Sequence, residues 1–280
     1  MVTFLWSTSF IIIKLGLTYI PPITFAGLRY SIACILFIPI IIFNRGLKTE
    51  IRLLTIKDYK KLIALGIIFY SFTQGSQFLG LALLPSVTVS LMLNLTPIIV
   101  SVAGIFILSE IPTNRQWIGI MGFFIGIIVY FLPSDFSGSR FLGIIVMGTG
   151  VLANSGSSIL GRGINRDSNI NPIIITFISM GIGSFILLVS GLLVEGVPVI
   201  ELKTIGFLFW LAAINTTFAF TLWNYTLRSL TAMESSVING TMLIQIALLA
   251  WIFLGEEITI LEIIGMVIAS ISVLVVQIKR

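Results

Sequence analysis

Apolar residues run along this chain in long uninterrupted stretches, each closed by a short cluster of Pro, Gly, Asn or charged residues. Ten such stretches are read, at 2–20, 23–43, 61–83, 86–108, 114–132, 140–161, 172–193, 204–226, 233–254 and 259–278. A helix needs about 20 apolar residues to cross the hydrocarbon of a bilayer, and only helices or closed barrels satisfy their backbone groups there. Barrel strands would alternate over segments of about ten residues, so the pattern predicts an all-α membrane protein with ten transmembrane helices. Most connections are tight, such as Ile20-Pro21-Pro22 and Leu84-Pro85. Residues 44–60 form the longer polar loop, in which Thr55 and Asp58 have N-cap spacing and predict a helix start leading into the third stretch.

The fourth stretch is broken in its middle by Asn94, Thr96 and Pro97 and ends on Glu110. A proline inside a helix removes one backbone hydrogen bond and crowds the preceding turn. In lipid that defect is tolerated where neighbouring helices, hydroxyls or water take up the freed groups, so this helix is expected inside a bundle, against a cavity. Residues 232–257 echo it, with Asn239 and Thr241 in the middle and Glu256 at the end. An offset of 146 residues pairs Leu108 with Leu254, Glu110 with Glu256, Thr113 with Thr259 and Gly119 with Gly265, while the two Asn-x-Thr triplets pair at 145. Ten stretches divide into five and five, and an odd number per unit inserts the second copy upside down. The expected organisation is a first five-helix repeat at 1–134 and a second, inverted one at 135–280. Inverted repeats build many secondary transporters, with the binding site near the midplane where the repeats meet.

Composition agrees. The chain of 280 residues is 57% hydrophobic and 10% charged, with a mean hydropathy of +1.13, whereas soluble domains carry about 25% charged residues. The net charge of +5 does not point to nucleic acid, because its cations sit between apolar stretches. With the N-terminus inside, twelve of the sixteen Lys and Arg fall in inner loops or the C-terminal tail, two (Arg140 and Lys203) fall outside, and Lys14 and Arg29 lie within stretches. The positive-inside rule therefore predicts a multi-pass protein of the cell membrane with both termini cytoplasmic. The first stretch has no basic leader and no clear cleavage site, and is expected to remain as an anchor. The expected partners are the lipid bilayer and a small-molecule substrate, with no nucleic acid; a monomer is sufficient for a pathway.

Polar side chains inside lipid must face protein or a cavity. Tyr70, Gln74 and Gln77 fall on one helical stripe. Asn94, Asn154, Asn215, Asn239 and Gln245 lie at similar middle depths and come from both halves. Together with Trp6 and Pro97 they form the candidate substrate pathway. For each amide the alternative is a hydrogen bond between helices, worth about 0.6 kcal/mol, and for Trp6 it is an interfacial aromatic belt. Lys14 and Arg29 each sit about 9 Å inside the outer end of a span; they are candidates for recognition of an anionic group, against the alternative of snorkelling to the interface. Small-residue pairs such as Gly122/Gly126 and Ser179/Gly183 read as interior packing.

Catalytic classes are poorly served. The chain has no His, which removes Ser-His dyads and His-ligated metal sites. Its aspartates, Asp58, Asp135 and Asp167, lie in loops, and the single Cys34 sits in an apolar run. No catalytic residue, metal or cofactor is expected.

The chain also resembles EamA-type members of the drug/metabolite transporter superfamily over essentially its whole length. The residues that carry the resemblance are Trp6-Ser7-Thr8-Ser9-Phe10 followed by Lys14-Leu15-Gly16, then Phe25, Arg29 and Tyr30, Leu81 to Pro85, Leu95-Thr96-Pro97, and the closing Leu108-Ser109-Glu110 and Leu254-Gly255-Glu256-Glu257. The family usually shows Trp-Gly where this chain has Trp6-Ser7, and a proline in span nine near Leu243. The resemblance implies paired five-helix repeats around a central cavity and export or exchange of amino acids, other metabolites or drugs by alternating access. A secondary transporter is thus the leading expectation; a multi-pass channel and an intramembrane enzyme are the alternatives.

Overall fold

The computed structural model describes residues 1–108, 113–132, 138–167, 170–227 and 232–277. Glu110, Asp135, Arg228, Lys279 and Arg280 lie outside the described residues, as do the side chains of Arg162, Arg166, Asp167, Tyr225 and Glu234. The chain runs through α1 (Val2–Gly16), α2 (Pro22–Phe43), α3 (Arg45–Leu53), α4 (Ile56–Leu65), a π-helical stretch (Gly66–Thr73), α5 (Gln74–Leu83), α6 (Ser86–Leu93), α7 (Thr96–Leu108), α8 (Asn114–Phe131), α9 (Ser139–Asp167), α10 (Pro172–Val194), α11 (Leu202–Ala212), a second π-helical stretch (Ala213–Phe218), α12 (Ala219–Leu227), α13 (Ala232–Leu254) and α14 (Ile260–Gln277). Among the described residues no strand forms. Among the described residues six helices are long and apolar enough to cross a membrane: Pro22–Phe43, Ile56–Leu83, Asn114–Phe131, Ser139–Asn165, Pro172–Val194 and Leu202–Trp223. Shorter apolar helices, Val2–Gly16, Ser86–Val100, Asn239–Leu254 and Ile260–Val276, fall on the other four stretches read from the sequence. The protein is a multi-pass helical membrane protein.

Local chemistry accounts for the helix starts. Pro22 and Pro172 open α2 and α10 at a position where a missing N–H costs nothing. Thr55 and Asp58 form a reciprocal capping box on α4, Thr113 and Gln116 form one on α8, and Thr259 and Glu262 exchange the same bonds before α14. The Thr55 box starts the helix where its spacing predicts, and that helix runs on through the third stretch, so it spans Ile56–Leu83, longer than the apolar run at 61–83. In the fourth stretch the break falls at Asn94-Leu95, between α6 and α7. Pro97 therefore sits in the first turn of α7, where the helix offers its N–H position no acceptor. The chain turns tightly there, with Leu95 N–H donating to Met92 O and Ile98 N–H to Leu95 O, both at 3.0 Å.

Close backbone approach at small residues sets the packing. α2 runs antiparallel to α10: a Cβ on Gly191 would meet Thr24 N at 2.7 Å, one on Gly27 would meet Leu188 Cα at 2.6 Å, and one on Gly181 would meet Cys34 Sγ at 3.2 Å. α8 runs antiparallel to α14 in the same way, with Gly119 against Val276, Gly126 against Ala269 and Gly265 against Tyr130. The first π stretch seats Gly66 against the Ser179 carbonyl of α10, and Gly183 of α10 against Gly66 O and Tyr70. α1 packs on α13, and α9 packs on α5, α6 and α7. The interior is filled by Phe25, Tyr30, Phe37, Phe78, Leu81 and Met147 in one cluster, and by Phe123, Leu91 and Leu243 in a second between α6, α8 and α13. Large apolar side chains on the outside, such as Ile35, Phe185, Leu193 and Ile118, are exposed and available to lipid.

The α8–α14 seam gives a direct test. A Cβ at Gly126 would lie 2.7 Å from Ala269 N and 2.9 Å from Gly265 O, both backbone atoms. Gly126→Val should therefore destabilise the protein by about 2 kcal/mol, the usual cost of overpacking. Gly148→Ala, whose Cβ meets nothing within 4 Å, should leave the melting temperature in detergent unchanged or slightly raised. Equal melting of the two variants would contradict the seam.

Candidate functional site

The centre of the bundle is where helices depart from regular form. The two π stretches each carry a threonine whose hydroxyl donates five residues back along the chain: Thr73 Oγ1 to Ile68 O at 3.1 Å and Thr216 Oγ1 to Leu211 O at 2.8 Å. Each stretch also bonds a neighbouring helix. Ser71 Oγ donates to Gly183 O of α10 (3.2 Å) and Thr217 Oγ1 donates to Ala33 O of α2 (3.3 Å). π-helical turns are often found at functional sites.

Around these stretches lies a continuous aromatic run. The Tyr30 ring meets Tyr70 edge-on (centroids 5.6 Å), Tyr70 meets Phe69 (4.8 Å) and Phe220 (6.4 Å), Phe220 meets Trp6 (5.2 Å), and Trp6 meets Trp223 (5.3 Å). Tyr30 Oη donates to Gln74 Oε1 at 2.6 Å, joining α2 to α5. The indole N–H of Trp6 is buried with no acceptor among the described residues.

Most of the amides singled out from the sequence fasten helices together. Asn154 Nδ2 donates to Thr96 Oγ1 (3.0 Å), joining α9 to α7. Asn215 Nδ2, on the second π stretch, donates to Leu5 O and to Thr8 Oγ1 (3.1 Å) of α1. Gln245 Oε1 on α13 accepts from Ser7 Oγ of α1 (3.1 Å), and Gln245 Nε2 donates to Thr241 (3.2 Å). Asn94 Nδ2 donates to Ser90 O of its own helix (2.9 Å), capping the break ahead of Pro97. Others keep free polar atoms. Asn215 Oδ1 and Asn239 Oδ1 are buried without a partner among the described residues, and Gln77 is half-buried on α5.

The two intramembrane cations stand apart. Lys14 is half-buried, and its ammonium donates to Leu81 O (2.7 Å) and Leu84 O (2.6 Å), the last carbonyls of α5. A cation there also meets the negative end of the helix dipole. Arg29 is 3% exposed. Its Nε donates to Thr216 Oγ1 (2.9 Å) and its Nη2 to Ser9 Oγ (3.5 Å), while the guanidinium lies 5.2 Å from the Tyr30 ring centroid and 5.9 Å from that of Phe78. Ser9, Tyr30 and Thr216 are not among the site candidates read from the sequence, although Ser9 and Tyr30 stand in the same short motifs as Trp6 and Arg29.

Carboxylates sit at helix starts. Glu256, just after α13, accepts from Ser86 N–H (2.9 Å) and Val87 N–H (3.5 Å) at the start of α6. Glu195, just after α10, accepts from Ile23 N–H (3.0 Å), Thr24 N–H (2.8 Å) and the Thr24 hydroxyl (2.8 Å) at the start of α2. Glu50 accepts from Asn171 N–H at the start of α10.

With this geometry in view, the chain can be set beside known proteins. Residues 1–132 and 137–278 each match the family model described as the EamA-like transporter family, and the chain belongs to that family. It is a membrane transporter of EamA type. It is similar to an uncharacterized transporter of Archaeoglobus fulgidus (29% identity, covering 100% of this chain and 96% of that one). It is also similar to the uncharacterized transporters YyaM (25% identity, 95% and 88% covered) and YoaV (24% identity, 94% and 90% covered) of Bacillus subtilis. A solved crystal structure shares its fold with a TM-score of 0.68 at 15% identity, over 98% of this chain and 96% of that one.

The carboxylate at Glu195 makes a checkable claim. Removing it leaves two backbone N–H groups and a hydroxyl of α2 without their charged acceptor, so Glu195→Ala should cost about 2 kcal/mol. Glu257→Ala, at an exposed position, should melt like the parent. A Glu195→Ala protein of parental stability would show that water replaces the clamp.

Proposed function

We propose that this protein is a secondary transporter of ten transmembrane helices, built as inverted repeats over 1–134 and 135–280, that exports or exchanges amino acids, other small metabolites or drugs by alternating access. One observation carries the reading. The contact of Gly119 with Val276 and the contact of Gly265 with Tyr130 become one another when the offset of 146 residues is applied. An exchange of contacts between two antiparallel helices is what a twofold axis across their lengths would produce. The same offset carries Ser71 onto Thr217, each on a π stretch and each bonded to a carbonyl of the other half. Packing of α1 on α13 and of α9 on α6 and α7 fits the same exchange.

In this reading the first repeat rocks against the second around a midplane site. Trp6, Tyr70, Gln74, Gln77, Asn94, Pro97, Asn154, Asn215, Asn239 and Gln245 border the solute path, with the break at Asn94-Leu95 and the π stretches as the places where helices bend. Among the described residues, Gln77, Asn239, Asn215 Oδ1 and the Trp6 indole N–H have spare hydrogen-bonding capacity for a solute. Residues whose amides are already engaged with another helix set the walls. The protein lies in the cell membrane with both termini in the cytoplasm, and one copy contains the whole path.

Topology and transport are tested separately. In a Cys34→Ser background, a membrane-impermeant maleimide should label Val199→Cys in intact cells, and Thr49→Cys only after permeabilisation; the reverse order would invert the orientation. In vesicles holding the purified protein, solute uptake should saturate and should exchange labelled for unlabelled solute, behaviour a channel lacks. Gln77→Phe should abolish that exchange while its melting temperature stays within the shift expected for about 1 kcal/mol. Undiminished exchange would remove Gln77 from the path.

A further inference from the structure

Among the described residues Arg29 is a buried cation with no anion beside it. A guanidinium has five N–H donors and stays charged in proteins. Here two of them meet acceptors, and both acceptors are neutral hydroxyls. Each hydroxyl spends its own proton on a backbone carbonyl: Thr216 Oγ1 on Leu211 O (2.8 Å) and Ser9 Oγ on Leu5 O (3.4 Å). They hold the fork in place without neutralising it. Among the described residues no carboxylate pairs with it. Glu50, Glu195 and Glu256 are bound to helix-start amides, and Asp58 and Glu262 close capping boxes. Lys14 differs, because its ammonium is taken up by the closing carbonyls of α5. An ionised side chain kept in a membrane bundle without a partner marks a functional site by default.

We propose that the Arg29 guanidinium receives a carboxylate group of the transported solute, so that the substrate class is monocarboxylates, amino acids included. The inference rests on the transporter reading above and names the solute it acts on. The planar fork matches a carboxylate in bidentate geometry. One cation balances one negative charge, which suits a monocarboxylate better than a phosphate dianion, since the other intramembrane cation, Lys14, is committed to α5. The rings of Tyr30 and Phe78 lie beside the fork, with Tyr70 beyond Tyr30; all three are buried in this conformation, so the solute's apolar part reaches them when the repeats move apart. A merely structural Arg29 would bind nothing and would staple α2 to α1 and to the second π stretch.

The test uses the full chain in detergent and in vesicles. Its probes are a panel of monocarboxylates from acetate to 3-phenylpropionate, each set against its neutral primary amide, and the common L-amino acids, each set against its primary amide, which keeps the ammonium and loses the carboxylate. At least one carboxylate should raise the melting temperature of the parent protein while its amide does not. Arg29→Lys should weaken that binding at least ten-fold, because it keeps the charge and loses the fork, and Arg29→Met should abolish it. The empty Arg29→Met protein should melt at or above the parent temperature, since an unpaired buried charge has been removed. A large fall there, or no carboxylate preference anywhere in the panel, or a preference that persists in Arg29→Met, would overturn the assignment. Carboxylate binding without exchange in vesicles would retain the site and refute transport. Exchange of another solute without carboxylate preference would retain transport and refute the site.

Discussion

Backbone polar groups taken out of water must find partners inside the protein, and a helix leaves four N–H groups at its start and four carbonyls at its end without internal ones. This chain meets that demand with charged side chains sent from distant segments. The tight turn at Leu84-Pro85-Ser86 is held from both sides. Lys14 of α1 takes the carbonyls that end α5, and Glu256 beyond α13 takes the amides that begin α6. Glu195 does the same for α2, and Glu50 for α10. Charge-assisted bonds of this kind are stronger than neutral ones, and each couples the end of one helix to a segment far away in sequence. A motion that separates these ends has to release those bonds, so helix termination and the permitted motions are one problem here.

That coupling explains what was legible beforehand. The ten apolar stretches, the break in the fourth, the capping spacing at Thr55 and the small-residue seams follow from local patterns with strong physical causes, and the helices fall on them. The π stretches at Gly66–Thr73 and Ala213–Phe218 left no comparable trace. A one-residue widening of a helix does not disturb an apolar run, and its stabilising bonds come from hydroxyls that read as ordinary Ser and Thr. The partners of Arg29 were hidden for a related reason: Ser9, Tyr30 and Thr216 lie on two helices and a π stretch, and only the folded bundle brings them to one side chain.

The amides divide by what their bonds accomplish. Gln74, Asn154 and one end of Asn215 are used on other helices, where each bond is worth a fraction of a kcal/mol but fixes register along two apolar surfaces that would otherwise slide. The buried oxygens of Asn215 and Asn239 and the indole N–H of Trp6 are different. A buried polar atom without a partner costs more than a neutral hydrogen bond returns. Asn215 holds both roles at once, its nitrogen tied to α1 and its oxygen without a partner among the described residues.

The position of Arg29 ties these strands together. Its firmest acceptor, Thr216, stands on a π stretch, and the Thr216 hydroxyl faces it with a lone pair because its proton is committed to Leu211 O five residues back. In a regular α-helix a threonine hydroxyl bonds the carbonyl three or four residues back. The irregular turn thus fixes the hydroxyl's orientation toward the guanidinium, and the next residue, Thr217, fastens the same turn to α2, the helix that carries Arg29. The departure from regular helix, the bond between the two halves and the orientation of the buried cation are one arrangement. Straightening this turn would move Thr216 and Thr217 together, so the conformation of the second π stretch and the position of the Arg29 fork must change as one.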